Sequence, residues 1–347
     1  MSETSVNRAG KTDRQPFSLL RLLLEGRAFF ALILIVAVFS FLSPNYFTVS
    51  NFLIMASHVA IYGILAIGML LVILNGGIDL SVGSVLALAG VCAGALMKGV
   101  ELPAFGVILF PPVWVVVVLT CALGAAVGAI NGVLIAWFKV PAFVATLGVM
   151  YVARGVALLQ TNGLTYNNLS GSAELGNTGF DWIGFNRLAD IPISVIVLAA
   201  TAVVTALMLS RSSFGRWLYA SGGNERAADL SGVPVNRVKI TVYTLSGMLA
   251  AVAGLVLASQ LTSAGPTAGA TYELTAIAAV VIGGAALTGG RGTVQGTMLG
   301  AFVIGFLSDG LVIIGVSSYW QTVFTGAVIV LAVLMNSIQS GRGGRKT

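Results

Sequence analysis

The sequence predicts an all-α polytopic membrane protein of about ten transmembrane helices arranged as an inverted repeat, and three observations predict it. First, 57% of the 347 residues are apolar and 9% are charged, against about 25% charged in a soluble domain; mean hydropathy is +0.97. Second, several apolar runs approach or exceed the roughly 20 residues that cross a bilayer as helix, without the alternation of a barrel strand. Third, the 43 glycines suit a bundle in lipid, where small residues let helix backbones approach.

Taken in order, residues 1–27 form a basic cytoplasmic tail with Arg8, Lys11, Arg14, Arg21 and Arg27, and a short amphipathic helix is expected at 17–25. The apolar segment behind it lacks a small-residue cleavage site, so it reads as a first span and not a cleaved signal. Span one covers 28–42 and ends at Pro44 and Asn45. Spans two (52–74) and three (80–97) flank an Asn-Gly-Gly-Ile-Asp turn. Residues 102–138 are too long for one crossing, and Pro111–Pro112 divides them, because proline breaks the helical ladder. An outer loop or re-entrant piece precedes the pair, and span four follows at 113–137. Lys139 and Pro141 turn the chain into span five (142–160). The polar, acid-biased stretch 161–190 fits the outer face. Span six (191–209) leads into the charged island 210–239, then come spans seven (240–262), eight (272–288), nine (294–314) and ten (319–337). The tail 339–347 carries Arg342, Arg345 and Lys346.

Charge sets the orientation. The island holds Arg211, Arg216, Arg226, Arg237 and Lys239 against Glu225 and Asp229, and basic loops mark the cytoplasm. With ten spans both termini are cytoplasmic, and of the 18 basic residues only Lys98 and Arg187 fall outside when Arg154 is counted with the cytoplasmic half of span five. The formal charge of +6 requires no nucleic-acid partner, since the tails lie near anionic membrane lipid. Residues 72–94 resemble 280–305: each has an apolar run, a glycine pair, a polar break and a small-residue helix. Halves of five spans, an odd number, must be inverted relative to each other.

Four groups of residues are candidates for function. Asn75, Gly76, Gly77, Asp79, Ser81 and Ser84 form either a capped interhelical turn or a hinge or gate. The glycines permit backbone angles closed to other residues, and carboxylate and hydroxyls suit a helix start. A cation site at Asp79 is disfavoured, because lone membrane carboxylates usually have partners. Gly223, Asn224, Glu225, Arg226, Ala227, Ala228, Asp229 and Gly232 describe a short surface helix, capped by Asn224 and stopped by Gly232, that offers the Ala227–Ala228 face to another protein. A loop this long among short connections points to docking. Gly124, Gly128 and Gly132, and separately Gly296 and Gly300, are spaced for close helix packing. Asn131, Phe143, Thr146, Tyr151, Gln260 and Gln295 can line a polar route with an aromatic wall, or simply pack between helices. His58 reads as a packing or interface residue.

There is no GxxxxGK[ST] phosphate loop and no nucleophile–base pair, so the chain itself carries no ATPase site, no cofactor and no enzymatic activity. The runs SPNYFTVSNFLIMA (43–56), AIGMLLVILNGGIDLSVGSVLALAG (66–90), INGVLIAWFKVPAFVATLGVMYVARGVALL (130–159), GGNERAADLSGVPVNRVKITVYTLSGMLAAVAG (222–254) and GGAALTGGRGTVQGTMLGAFVIG (283–305) resemble the permease subunit of bacterial monosaccharide-import ABC transporters of the ribose, xylose and galactose type. The resemblance covers roughly 28–338, a permease domain in the bacterial inner membrane. It implies import of a neutral monosaccharide or sugar alcohol by alternating access. The implied partners are a second permease copy or paralogue, a cytoplasmic ABC ATPase carrying ATP and Mg2+, and a periplasmic or tethered sugar-binding protein. It assigns ATPase coupling to Gly223–Gly232, with Glu225, Arg226 and Asp229 available for charge pairing. The alternative is an ion-coupled secondary transporter of a small polar solute, which requires ionisable groups in mid-membrane. Only Asp79, Arg154, Glu273 and Asp309 come near that.

Overall fold

The computed structural model describes residues 26–103, 106–317, 319–328, 330 and 334; the expected helix at 17–25, the tail 339–347 and the end of span ten lie outside them. The described chain is mostly helical. The elements are α1 (Arg27–Leu42), α2 (Val49–Leu74), α3 (Val82–Lys98), α4 (Val113–Ala136), α5 (Ala142–Thr161), α6 (Trp182–Phe185), α7 (Ile193–Arg211), α8 (Ser213–Gly223), α9 (Glu225–Leu230), α10 (Val235–Leu261), α11 (Tyr272–Ile282) and α12 (Val294–Ile313). A further helical run occupies 319–328. Six of these (α2, α4, α5, α7, α10 and α12) are long and apolar enough to cross a membrane, while α1, α3 and α11 are shorter and also apolar.

The helix starts follow from local chemistry. Pro112, Pro141, Pro192 and Pro234 each sit immediately before α4, α5, α7 and α10, where the missing proline N–H costs nothing. Thr48 and Thr293 cap α2 and α12 through Asn51 N–H and Gly296 N–H, as short hydroxyl side chains do.

Helix α2 is the axis of the bundle. From Val59 to Leu74 every residue except Tyr62 is buried. Helix α10 runs antiparallel beside it, Gln260 Nε2 donating to Ser57 O (3.2 Å) while Gly68 lies against Ser246 and Leu249. The expected glycine ladder is a packing seam: a methyl on Gly124 or Gly128 would run into the α10 backbone at Gly247 or Tyr243, and one on Gly132 would come within 2.7 Å of Ile240 Cα. Gly296 and Gly300 seat α12 on Gly283 and Ala279 in the same way.

Three regions differ from the sequence reading. The 102–112 piece is an antiparallel ribbon, Val100–Leu102 (β1) with Val107–Leu109 (β2), leading through Pro111–Pro112 into α4. Span eight stops at Ile282 and not near 288, because Gly283 closes on the α12 backbone and Gly284 takes φ +91°. The island is two helices, α8 and α9, and not a loop with one. Two further two-stranded ribbons, Tyr166–Asn167 (β3) with Ser263–Ala264 (β6) and Arg187–Leu188 (β4) with Ile191–Pro192 (β5), lie at the end of the bundle opposite α8.

The end carrying Leu74, Gly222 and Gly290 is called the floor below. The end carrying Ser57 and Gln260 is called the mouth.

Candidate functional site: the floor, the buried turn and the mouth

At the floor the two glycine turns that look alike in sequence touch. Gly290 N–H donates to Leu74 O (2.9 Å), and a methyl on Gly289 would come within 3.0 Å of Gly76 N. The last turn of α8 is wedged against both. A side chain at Gly222 would strike the Leu74 carbonyl, Ser221 Oγ donates to Asn75 Oδ1 (3.4 Å), and Tyr219 OH donates to Gly292 O (2.8 Å). Burial pushes the Tyr219 phenol up, which keeps it a donor. Gly223 and the α9 residues follow directly, so the candidate hinge and the candidate docking helix are one continuous contact.

Helix α9 is built as its sequence suggests. Asn224 Oδ1 accepts from Ala227 N–H (3.0 Å), and Gly232 takes φ +84° after the last turn, a conformation glycine adopts without strain. Its surface differs from the expected one. Ala228 is buried, so the Ala227–Ala228 pair is not an exposed face. Glu225 is exposed and pairs with Lys239 of α10 (2.7 Å). Arg226, Ala227 and Asp229 are exposed. Leu230, which sequence reasoning did not single out, is 83% exposed; an apolar residue at the tip of a charged helix is the signal that was available.

Above the floor, residues 75–81 climb back into the bundle. Asp79 is buried and accepts three hydrogen bonds, from Ser81 N–H (3.0 Å), Ser81 Oγ (2.6 Å) and Ser246 Oγ (2.9 Å). Asn131 Nδ2 donates to Ser81 Oγ (2.9 Å), and Thr146 Oγ1 reaches Ile78 O (3.3 Å). Asn131 is five residues short of the end of α4, which sets Asp79 roughly 7 Å inside that end. No cation pairs with Asp79 among the described residues; neutral donors hold the carboxyl. Ser84 is buried one turn further along α3.

A second break enters from the mouth. After α10 the chain descends through 262–271 before α11 begins, and Arg154 Nη1 holds that descent by donating to Pro266 O (2.6 Å) and Ala268 O (2.8 Å). The starts of α3 and α11 then lie side by side: a methyl on Gly83 would strike Gly269 O and the Glu273 carboxylate.

The six polar-route candidates do not gather in one place. Asn131 and Thr146 serve the Asp79 turn, Phe143 and Tyr151 are exposed on α5, Gln295 is exposed at the start of α12, and Gln260 lines a cavity at the mouth. That cavity, about 360 Å³, opens at the mouth between α2, α6, the β4–β5 ribbon, α10 and α11. On its wall His58 Nδ1 lies 3.0 Å from Asp309 Oδ1 of α12, a pairing across 251 residues that no local spacing announces.

Comparison with known proteins completes the description. The family described as the branched-chain amino acid transport system / permease component matches residues 51–333. The chain belongs to that permease family. Within it, this permease is 44% identical over 316 residues to the ribose import permease protein RbsC of Escherichia coli K12, covering 91% of this chain and 94% of that one. RbsC of Bacillus subtilis 168 is 44% identical over 313 residues, covering 90% and 92%. The xylose transport system permease protein XylH of Escherichia coli K12 is 33% identical over 367 residues, covering 90% and 91%. No solved structure matches this permease.

Proposed function

We propose that this chain is the membrane-spanning subunit of an ATP-driven importer that moves a neutral monosaccharide or sugar alcohol into the cytoplasm by alternating access. The observation that carries it is the near full-length likeness to ribose import permeases, joined to a floor in which a docking-type helix is continuous with the two glycine turns. The ion-coupled alternative loses ground: Asp79 is wrapped by neutral donors and lies behind a closed floor.

In this reading the floor is cytoplasmic and the mouth faces outward, with both termini inside. Six long helices, three shorter apolar ones and the run at 319–328 make ten crossings. The halves are inverted, and the breaks at 75–81 and 262–271 are their matching features: α2–α3 and α10–α11 are spans two–three and seven–eight, five apart. This replaces the pairing of 72–94 with 280–305. A cytoplasmic ABC ATPase, holding ATP and Mg2+, docks on α9 through Leu230, Arg226 and Asp229, and its movement reaches the Asn75–Gly77 turn through Tyr219, Ser221 and Gly222. A sugar-binding protein unloads at the mouth, and a second copy or a paralogue completes the membrane unit.

The test is ATP hydrolysis in lipid nanodiscs by this chain with its ATPase and binding protein, across pentoses, hexoses and polyols. One solute should stimulate hydrolysis. Leu230→Glu should cut that stimulation about tenfold, the scale of one lost interface anchor, with the chain's own melting temperature unchanged. Stimulation that survives Leu230→Glu moves the docking surface elsewhere, and no response to any sugar overturns the importer.

A further inference from the structure

Resting on the importer reading, we propose that Arg154 is a positioning residue for import: it ties the break at 262–271 to α5, so that the two shift together in each turnover. Nothing in the relatives' descriptions assigns it such a role.

Arg154 is costly where it lies. It stands seven residues before the end of α5 at Thr161, roughly 10 Å inside that end, and an ionisable group within an apolar span marks a functional position. Its Nη1 makes both bonds to the descent, at 2.6 Å to Pro266 O and 2.8 Å to Ala268 O. Glu273, in the first turn of α11, is the carboxylate that interacts with it, without an ion-pair contact among the described residues.

The segment it holds needs holding. Thr262, Gly269 and Thr271 take φ of +46°, +64° and +70°, and threonine keeps such angles only where its surroundings impose them. Beyond the β3–β6 ribbon, which ends at Ala264, the backbone hydrogen bonds of 265–271 are short turns within the segment or into the start of α11. Among the described residues, Arg154 supplies its hydrogen bonds to another span.

Helix α5 has the freedom to carry this segment. Of an 18-residue apolar stretch in α5, 22% is buried, against 83% in α2, and lightly packed elements open at the least cost. The tie nearer the floor is looser: Thr146 Oγ1 reaches Ile78 O at 3.3 Å but lies 2.9 Å from Ala142 O of its own helix. Movement of the break passes on by contact, since a methyl on Gly269 would come within 2.9 Å of Gly83 O, two residues beyond Ser81 of the Asp79 turn.

The experiment measures ATP hydrolysis by the complete assembly in nanodiscs over titrations of ribose, xylose and galactose, together with hydrogen exchange of the 262–271 amides. Arg154→Met fills the space without donors. It should lower the maximal sugar-stimulated rate about tenfold, the scale of losing bonds from a charged donor, and leave the half-stimulating sugar concentration within about twofold. Exchange at 262–271 should quicken about tenfold. Arg154→Lys should recover most of both losses, because both bonds leave one nitrogen and an ammonium offers three donors. An undiminished rate in Arg154→Met overturns the proposal. So does a raised half-stimulating concentration at an unchanged maximal rate, which places Arg154 on the solute. A fall in melting temperature that tracks the rate in both variants reduces Arg154 to structure alone and overturns it too. Exchange is also read on this chain alone in nanodiscs, so a variant that fails to assemble still decides the tie: unchanged exchange overturns it. If no sugar stimulates the wild-type assembly, the importer reading falls and the role in import with it, while the exchange result stands.

Discussion

At the floor, Leu74, Gly222 and Gly290 meet backbone to backbone, whereas at the mouth Ser57, Gln260, Tyr62 and Tyr272 face a cavity. A contact made of peptide groups and missing side chains has no rotamers with which to adjust. It is either made or broken, and interfaces of that kind support discrete states. The mouth is lined by side chains with torsions to spare, and it can adjust by rotamer changes. Rigid backbone contact is thus confined to one end and adjustable side chains to the other.

Substitutions test the contrast from its strongest point outward. Gly222→Val places atoms where the Leu74 carbonyl already lies and should cost about 3 kcal/mol, the upper end of ordinary overpacking, read as a fall in melting temperature and yield of purified chain. Asp79→Ala strands the Ser81 and Ser246 donors and should cost about 2 kcal/mol, the usual penalty for orphaned buried groups; Asp79→Asn, which still accepts, should recover part of it. Tyr219→Phe removes one hydrogen bond to Gly292 O, about 1 kcal/mol, and should raise ATP hydrolysis in the absence of sugar as the floor loosens. At the mouth, Arg187→Ala should shift stability by no more than about 0.5 kcal/mol. A mouth substitution as damaging as Gly222→Val would remove the distinction.

Lipid explains which parts of this were legible in the sequence. The helix-forming runs stand out because only unbroken apolar stretches cross a bilayer, and the Asn224 cap and Gly232 stop are local rules. Facing is hidden. Helices α2 and α4 read as equally apolar, yet 83% of an 18-residue apolar stretch of α2 is buried and 22% of one in α4. In water the buried face would have announced itself by polar residues opposite, but lipid rewards the same side chains as the core. So the central place of α2, the inward turn of Ala228 and the His58–Asp309 pairing had no sequence signature. The early stop of α11 was obscured because Ala285, Ala286 and Leu287 continue the hydropathy past Gly283 and Gly284. The polar-route candidates scattered because polar type alone does not tell a solute wall from the hydrogen bonds that hold a turn.

The Glu225–Lys239 pair fastens α9 to the lower part of α10. That helix is 27 residues long and ends beside Gln260. It is a stiff rod of about 40 Å, and a tilt of about 5° at its foot swings its tip by about 3.5 Å, more than a hydrogen-bond length. Mechanical advantage of this sort lets a small displacement at α9 be felt, enlarged, at the far end of the bundle.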